Sequence, residues 1–271
     1  IQSIFDVKPG MQDGTASVRE SDDEVPVVEF KNVALTYSGA GDTSIAGVSF
    51  KAYRGQTIGI IGGTGSGKSS LVGLIPRFYD ATEGEVLIDG VNVKDIKLEE
   101  LRDKVGIVMQ KAVLFKGSIR NNMQVAKQDA TDGEIDEALA IAQAKEFVDK
   151  KDGRLDYMIE QGGKNLSGGQ RQRLTIARAV VKKPDVLILD DSASALDFAT
   201  DAALRKSIRT MPNNPTVFIV SQRSASLMHA DKIIVLDDGN VAGIGTHSEL
   251  LANCEVYREI YNSQFKSAKG A

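Results

Sequence analysis

The stretch with the clearest chemistry is residues 62–70, GGTGSGKSS, which fits the phosphate-loop pattern GxxxxGK[ST]. Glycines let backbone N–H groups close around a polyphosphate, because no side chain blocks the approach and glycine adopts left-handed conformations at little energetic cost. Lys68 can reach the β- and γ-phosphates, and the Ser69 hydroxyl can ligate Mg²⁺. The candidate ligands are Gly62, Gly63, Thr64, Gly65, Ser66, Gly67, Lys68, Ser69 and Ser70.

The flanks of this loop predict the elements that must position it. Residues 57–61 are apolar and predict a buried strand, whereas residues 71–75 continue a helix that begins at Lys68. The positive end of that helix favours an anion. A glycine-rich loop that binds nothing is the alternative, but the lysine, the serine and both flanks argue against it.

Polar residues follow two further apolar runs, where a parallel sheet would present its carboxyl edge. Asp190 and Asp191 end the run 186–191, and Asp190 is well placed to hold Mg²⁺ through water. Gln110 follows the run 105–109 and could contact Mg²⁺ or an attacking water. For Gln110 alone, a solvated loop glutamine is an equal alternative.

Two other stretches allow both a functional and a structural interpretation. Ser167, with the glycines after it, predicts a capped helix N-terminus that could also bind an anion, and the cap is the default interpretation. Tyr37, predicted at a strand end, could stack on adenine. From the residues alone, a half-buried strand tyrosine is favoured there.

Composition limits the class of protein. The chain has 271 residues, 42% hydrophobic and 26% charged, with a net charge of −4 and a pI of about 5.4. The net negative charge argues against nucleic acid as the main partner, because nucleic-acid-binding proteins usually carry a basic surface. The single cysteine, Cys254, excludes an intrachain disulfide and fits a reducing compartment. No apolar run approaches the ~18 residues that a membrane-spanning helix needs. The first residue is Ile1, so we expect a piece of a longer or processed protein.

The chain divides by pattern into a polar, acidic start and a globular remainder. Residues 1–24 predict a linker. Residues 25–30, 33–37 and 48–53 predict short strands of an antiparallel subdomain, and 111–165 predict an inserted helical subdomain. Terminal helices are predicted over 246–265.

The order of these motifs resembles the nucleotide-binding domain of ATP-binding cassette (ABC) transporters over about residues 25–265. The resemblance implies an α/β fold: a P-loop NTPase core with a mainly parallel sheet, an N-terminal antiparallel β subdomain and an α-helical subdomain at about 111–168. It implies that 1–24 is a linker from a transmembrane domain upstream of Ile1, with a tail at 266–271. ATP and Mg²⁺ are the implied cofactors.

The resemblance also assigns roles. Tyr37 becomes the adenine-stacking aromatic, Gln110 the Q-loop glutamine and Asp190 the Walker B aspartate. The signature residues, which in the family contact the γ-phosphate bound by the opposite subunit, are Ser167, Gly168, Gly169 and Gln170. Residues 194–197 match the D-loop. Residues 3–7, 114–120 and 160–163 resemble exporters, so the resemblance implies an ATPase at the cytoplasmic face of the cell membrane.

Two positions depart from the family pattern. Asp191 stands where the family has a glutamate that orients the hydrolytic water. The shorter aspartate side chain draws the carboxylate back from that water, and a misplacement of ~1 Å can lower the rate on the order of 10²-fold. Gln222 replaces the switch histidine, and an amide cannot carry positive charge. Both changes affect the transition state more than ground-state binding.

The intact signature beside a weakened base resembles the degenerate-site half of a heterodimeric multidrug exporter, paired head to tail with a second nucleotide-binding domain. We therefore expect a site that binds ATP well and hydrolyses it poorly. The alternative is an ATP-gated cassette module of a non-transport ABC protein.

Overall fold

The computed structural model describes residues 11–19, 22, 24–39, 41–192 and 195–265. The first ten residues of the predicted linker, Ser194 of the predicted D-loop and the tail 266–271 lie outside the described residues.

The N-terminal subdomain is the expected antiparallel sheet, with strand order β2-β1-β4-β5. Its strands are β1 (Val28–Leu35), β2 (Ile45–Ala52), β4 (Glu83–Ile88) and β5 (Val91–Asn92). The prediction of separate strands at 25–30 and 33–37 is wrong, because β1 is continuous through an irregularity after Phe30. Asn32 takes φ of 49° there, and asparagine tolerates this conformation well enough to bend a strand without ending it.

The central sheet has six strands in the order β12-β11-β3-β10-β9-β6. They are β3 (Thr57–Gly62), β6 (Val105–Val108), β9 (Val186–Asp190), β10 (Thr216–Val220), β11 (Lys232–Asp237) and β12 (Asn240–Gly245). All neighbours pair in parallel except β12, which runs antiparallel to β11. Every residue of β3, β9 and β10 is buried, which explains their continuous apolar character.

The helices cover the sheet and build the helical subdomain. They are α1 (Lys68–Gly73), α2 (Leu98–Lys104), α3 (Ile119–Gln124), α4 (Asp132–Ile141), α5 (Lys145–Asp149), α6 (Gly168–Val180), α7 (Phe198–Arg209), α8 (His247–Asn253) and α9 (Glu255–Phe265). The capping signal at Thr131 is confirmed as a capping box with Glu134. A short ladder between β7 (Gly117–Ser118) and β8 (Met158–Ile159) lies in the same subdomain.

Two apolar cores meet at the central sheet. Ile58 and Ile60 of β3 belong to the core shared with the antiparallel sheet, whereas Ile61 belongs to the core shared with the helical subdomain. Within the described residues, no helix is long and apolar enough to cross a bilayer.

Part of the predicted linker is attached to the domain. Ala16 forms an isolated parallel bridge with Ile96, and the Asp13 carboxylate accepts a hydrogen bond of 2.7 Å from the N–H of Leu98, at the start of α2. The buried Arg77 guanidinium donates to the carbonyl of Gln12 at 2.9 Å. Residues 12–18 therefore lie along the domain surface, an arrangement that their polar composition did not indicate.

The end of β3 leaves no room for a side chain. A Cβ on Gly62 would lie 2.2 Å from the carbonyl oxygen of Leu236 on β11, whereas a Cβ on Gly63 would have no atom within 4 Å. Backbone cannot withdraw as a flexible side chain can, so the strands must shift if position 62 carries a methyl group.

We expect Gly62→Ala to lower the free energy of unfolding by about 1–3 kcal/mol, because it overpacks a buried strand pair. Gly63→Ala is the matched control and should unfold at the same urea concentration as the parent chain. Equal urea midpoints for the two variants would show that the contact with Leu236 does not restrict position 62.

Candidate phosphate and metal site

The phosphate loop closes over its own lysine. Gly67, at φ 90°, precedes the first residue of α1 in a left-handed conformation that glycine adopts without strain. The buried Lys68 ammonium donates to the carbonyl of Gly62 at 3.0 Å and to that of Gly63. The cation is thus held within the loop, where phosphate oxygens could replace these carbonyls as acceptors.

Ser69 and Asp190 meet although 121 positions separate them (190 − 69). Asp190 is buried at the end of β9, and its carboxyl lies beside the Ser69 hydroxyl. Burial raises the pKa of the Asp190 carboxyl, and the nearby Ser69 side chain opposes that increase. Burial also lowers the pKa of the Lys68 ammonium, against the attraction of Asp190 and Asp191.

These oxygen donors fit Mg²⁺, which prefers a few hard protein ligands together with phosphate and water. The part of the chain that the structure describes contains no group of three or more His, Cys, Asp or Glu side chains that could hold a metal on its own. A phosphate ligand and water could supply the further oxygens that an ion beside Ser69 and Asp190 needs.

Gln110 and Asp191 also come together. The Gln110 amide donates to a carboxylate oxygen of Asp191 at 3.3 Å, across 81 positions. Asp191 itself has φ of 46°, and its N–H donates to the carbonyl of Val220 on β10 at 2.9 Å. The two side chains that the sequence predicts to contact water or metal thus belong to one cluster beside Asp190.

Gln222 follows the neighbouring strand. The N–H of Ser221 donates to the carbonyl of Ile60 at 3.1 Å, which ties the end of β10 to the strand that leads into the phosphate loop. Gln222 is exposed, and its own carbonyl accepts a hydrogen bond of 2.7 Å from Gln264 on α9. No sequence pattern pointed to Gln264, because its contact crosses 42 positions between a turn and the helix α9.

Tyr37 lies beside the phosphate loop, two positions beyond the end of β1. Its hydroxyl donates to the Ser70 hydroxyl at 2.8 Å, and its ring meets that of Tyr79 edge to face, with centroids 4.9 Å apart. Tyr79 is 43% exposed and was not singled out from the sequence. An aromatic pair of this kind at the start of α1 offers an apolar surface to a planar base.

The stretch at Ser167 forms a separate helix start, although Gly168 lines the same open pocket as Gln110. Ser167 caps α6 in a capping box: its hydroxyl accepts from the N–H of Gln170, and the Gln170 side chain accepts from the N–H of Ser167. Both Ser167 and Gly168 are exposed. Among the described residues, no hydrogen bond links this helix start to the phosphate loop, so within one chain the structure does not bring the two motifs together.

Comparison with known proteins gives a consistent result. The family model described as "ABC transporter" matches residues 45–194. The ATP-dependent lipid A-core flippase of Vibrio vulnificus is 39% identical over 264 residues, which cover 97% of this chain and 45% of the flippase. An uncharacterised ABC transporter ATP-binding protein of Mycobacterium tuberculosis is 44% identical over 245 residues, 89% of this chain and 42% of that protein.

Among solved structures, a bacterial Atm1-family ABC exporter with ATP bound superimposes with a TM-score of 0.91 at 32% identity. The match covers 97% of this chain and 46% of the exporter chain. The chain therefore spans a little under half the length of these relatives.

The loop geometry predicts the effect of removing the lysine. Lys68→Ala should weaken ATP binding roughly 10- to 100-fold, because a charge-assisted hydrogen bond contributes about 1.5–3 kcal/mol. Titration with a fluorescent ATP analogue measures the change. Lys111→Ala, which removes an exposed cation next to Gln110, is the control for a general charge effect. Unchanged affinity in Lys68→Ala would contradict the assignment of the loop.

Proposed function

Because the chain belongs to the ABC transporter family, we propose that it is the ATP-binding and hydrolysing domain of an exporter, which powers export across a membrane. The observation that carries the proposal is the meeting of three groups at one sheet edge: Lys68 inside the phosphate loop, the Ser69 hydroxyl, and the buried Asp190 carboxyl beside it. Together they form a site for a triphosphate and its metal ion.

The residues divide between binding and hydrolysis. The backbone of residues 62–67 and Lys68 bind the phosphates, and the Tyr37 ring stacks on adenine. Ser69 and Asp190, assisted by Gln110, would hold Mg²⁺, which when bound would supply positive charge against the charge that develops on the phosphates. Asp191, fixed beside Gln110, orients the attacking water, and Gln222 donates a hydrogen bond to the γ-phosphate.

The proposal extends to the rest of the protein. The relatives are about twice as long as this chain, and one of them is named a lipid A-core flippase. We infer that a transmembrane domain precedes Ile1 in the same polypeptide and that the domain described here lies at the cytoplasmic face of the membrane. The transmembrane domain would determine which molecule is exported.

A second nucleotide-binding domain completes the site. The exposed Ser167 cap is separate from this chain's own phosphate loop, which supports a head-to-tail dimer in which each signature faces the partner's nucleotide. An intact signature beside Asp191 and Gln222 favours a heterodimer. In it, this chain's own site binds ATP and hydrolyses it slowly, while residues 167–170 serve the faster site of the partner.

Substitution of Ser167 can separate the role of a helix cap from that of a phosphate contact. Ser167→Asp keeps a good cap, so the chain should retain its stability and its own ATP affinity. A carboxylate would repel the partner's γ-phosphate, so ATPase activity of the assembled dimer should fall at least tenfold. Ser167→Ala, the companion variant, should lose about 1 kcal/mol of stability with the cap.

The measurements are urea unfolding and ATP titration of the chain, followed by ATPase assay of the dimer. Full activity of Ser167→Asp would show that the residue is only a cap, and loss of ATP binding by the single chain would contradict the head-to-tail arrangement.

Asp191 and Gln222 should together limit hydrolysis. We expect Asp191→Glu to raise the single-turnover rate modestly, and Asp191→Glu with Gln222→His to raise it more than the separate gains predict, because both side chains act on one transition state. The assay uses a homodimer of the doubly substituted chain, which brings an intact signature to both sites. A rate no higher than that of the parent chain would show that other residues limit the reaction.

A further inference from the structure

The turn after β10, residues 221–226, carries Gln222 and is held from several sides. The Ser221 hydroxyl accepts from the N–H of Arg223 at 3.0 Å, which fixes the start of the turn locally. At its far end, Arg205 of α7 donates to the carbonyl of Ser226. Ser224, in the middle, is fully buried.

The middle of the turn is bonded by one side chain from the end of α9. The carbonyl oxygen of the Gln264 amide accepts from both the N–H and the hydroxyl of Ser224, each at 2.9 Å. Its NH₂ group donates to the carbonyl of Gln222 at 2.7 Å. A primary amide is well suited to this position because it presents an acceptor and a donor side by side, which neither a carboxylate nor an ammonium group does.

The helix that supplies Gln264 is itself firmly attached. Tyr257, two turns earlier on the same face, is fully buried, and its hydroxyl lies 2.8 Å from Nδ1 of His247 on α8. Ile260, on the same helix, packs against the apolar core that contains Tyr257. Gln264 is itself exposed and lies one turn beyond this packed isoleucine.

We propose that Gln264 is a positioning residue for hydrolysis. By bonding the backbone on both sides of Arg223, it fixes the direction in which the Gln222 side chain leaves the turn, and hence its distance from the γ-phosphate. The inference rests on the function proposed above for Gln222. It assigns to α9 a part in the reaction that acts through the turn after β10.

The first test is amide hydrogen exchange in the 271-residue chain. Gln264→Ala removes the acceptor of the Ser224 N–H, so exchange of that amide should become roughly five- to tenfold faster. Gln264→Glu keeps the acceptor and loses the donor to Gln222, so it should give an intermediate rate. Glu259→Ala, at an exposed position of the same helix, is the matched control and should leave exchange unchanged.

The second test is single-turnover hydrolysis by the complete protein assembled with its partner. Gln264→Ala should slow this chain's site about three- to tenfold and change its ATP affinity less than twofold, because a displaced side chain affects the transition state first. Gln264→Glu should recover part of the rate. In a Gln222→Ala background, Gln264→Ala should have no further effect, since both substitutions remove the same contribution.

The outcomes separate the inference from the function on which it rests. Unchanged exchange at Ser224 in Gln264→Ala, or an equal rate loss with and without the Gln222 side chain, would overturn the role of Gln264 and leave the proposed function intact. A Gln222→Ala variant that hydrolyses at the parent rate would overturn the role of Gln222 and, with it, that of Gln264.

Discussion

The close parallel pairing of β3 with β11 at Gly62 and Leu236 is the contact on which the site depends. The two backbones approach so closely that a Cβ on Gly62 would lie 2.2 Å from the facing carbonyl oxygen. The chain can leave the sheet at this point and curl into a loop whose carbonyls receive the Lys68 ammonium. The direction of α1 follows from that loop, and α1 in turn places Ser69 against Asp190.

The parallel sheet brings the other polar residues of the site together. Strands that run in the same direction end at the same edge, so Gln110, Asp190, Asp191 and Gln222 are gathered near the phosphate loop from distant parts of the sequence. Burial at this edge also shifts the pKa values of two charged groups. Burial raises the pKa of Asp190 and lowers that of Lys68, so each group loses hydration that an opposite charge nearby can replace.

In the proposed function, nucleotide binding and hydrolysis have different physical requirements. Binding uses backbone N–H groups, one ammonium and one hydroxyl, and it tolerates small displacements. Hydrolysis needs a carboxylate and a hydrogen-bond donor at defined distances from one phosphorus atom. In the proposed function, Lys68 and Ser69 belong to the first set, and Asp191 and Gln222 form the second. The turn that carries Gln222 is bonded from α7 and α9, so its backbone is well fixed.

The sequence alone determined the parts of this protein whose physics is local. The glycine loop, the apolar strands of the central sheet and the caps at Thr131 and Ser167 are each encoded within a few neighbouring positions, and the structure confirms them. The motif order was enough to indicate the family. Where the sequence failed locally, as in β1, an asparagine kink was mistaken for a strand end.

Only the tertiary structure decided which distant side chains meet. Gln110 with Asp191, Tyr37 with Ser70 and Tyr79, and Gln264 with the turn after β10 are contacts across loops, helices and strand crossovers. The attachment of residues 12–18 beside α2 is of the same kind. Such contacts depend on how whole elements pack, and no periodicity or spacing in the sequence records that packing.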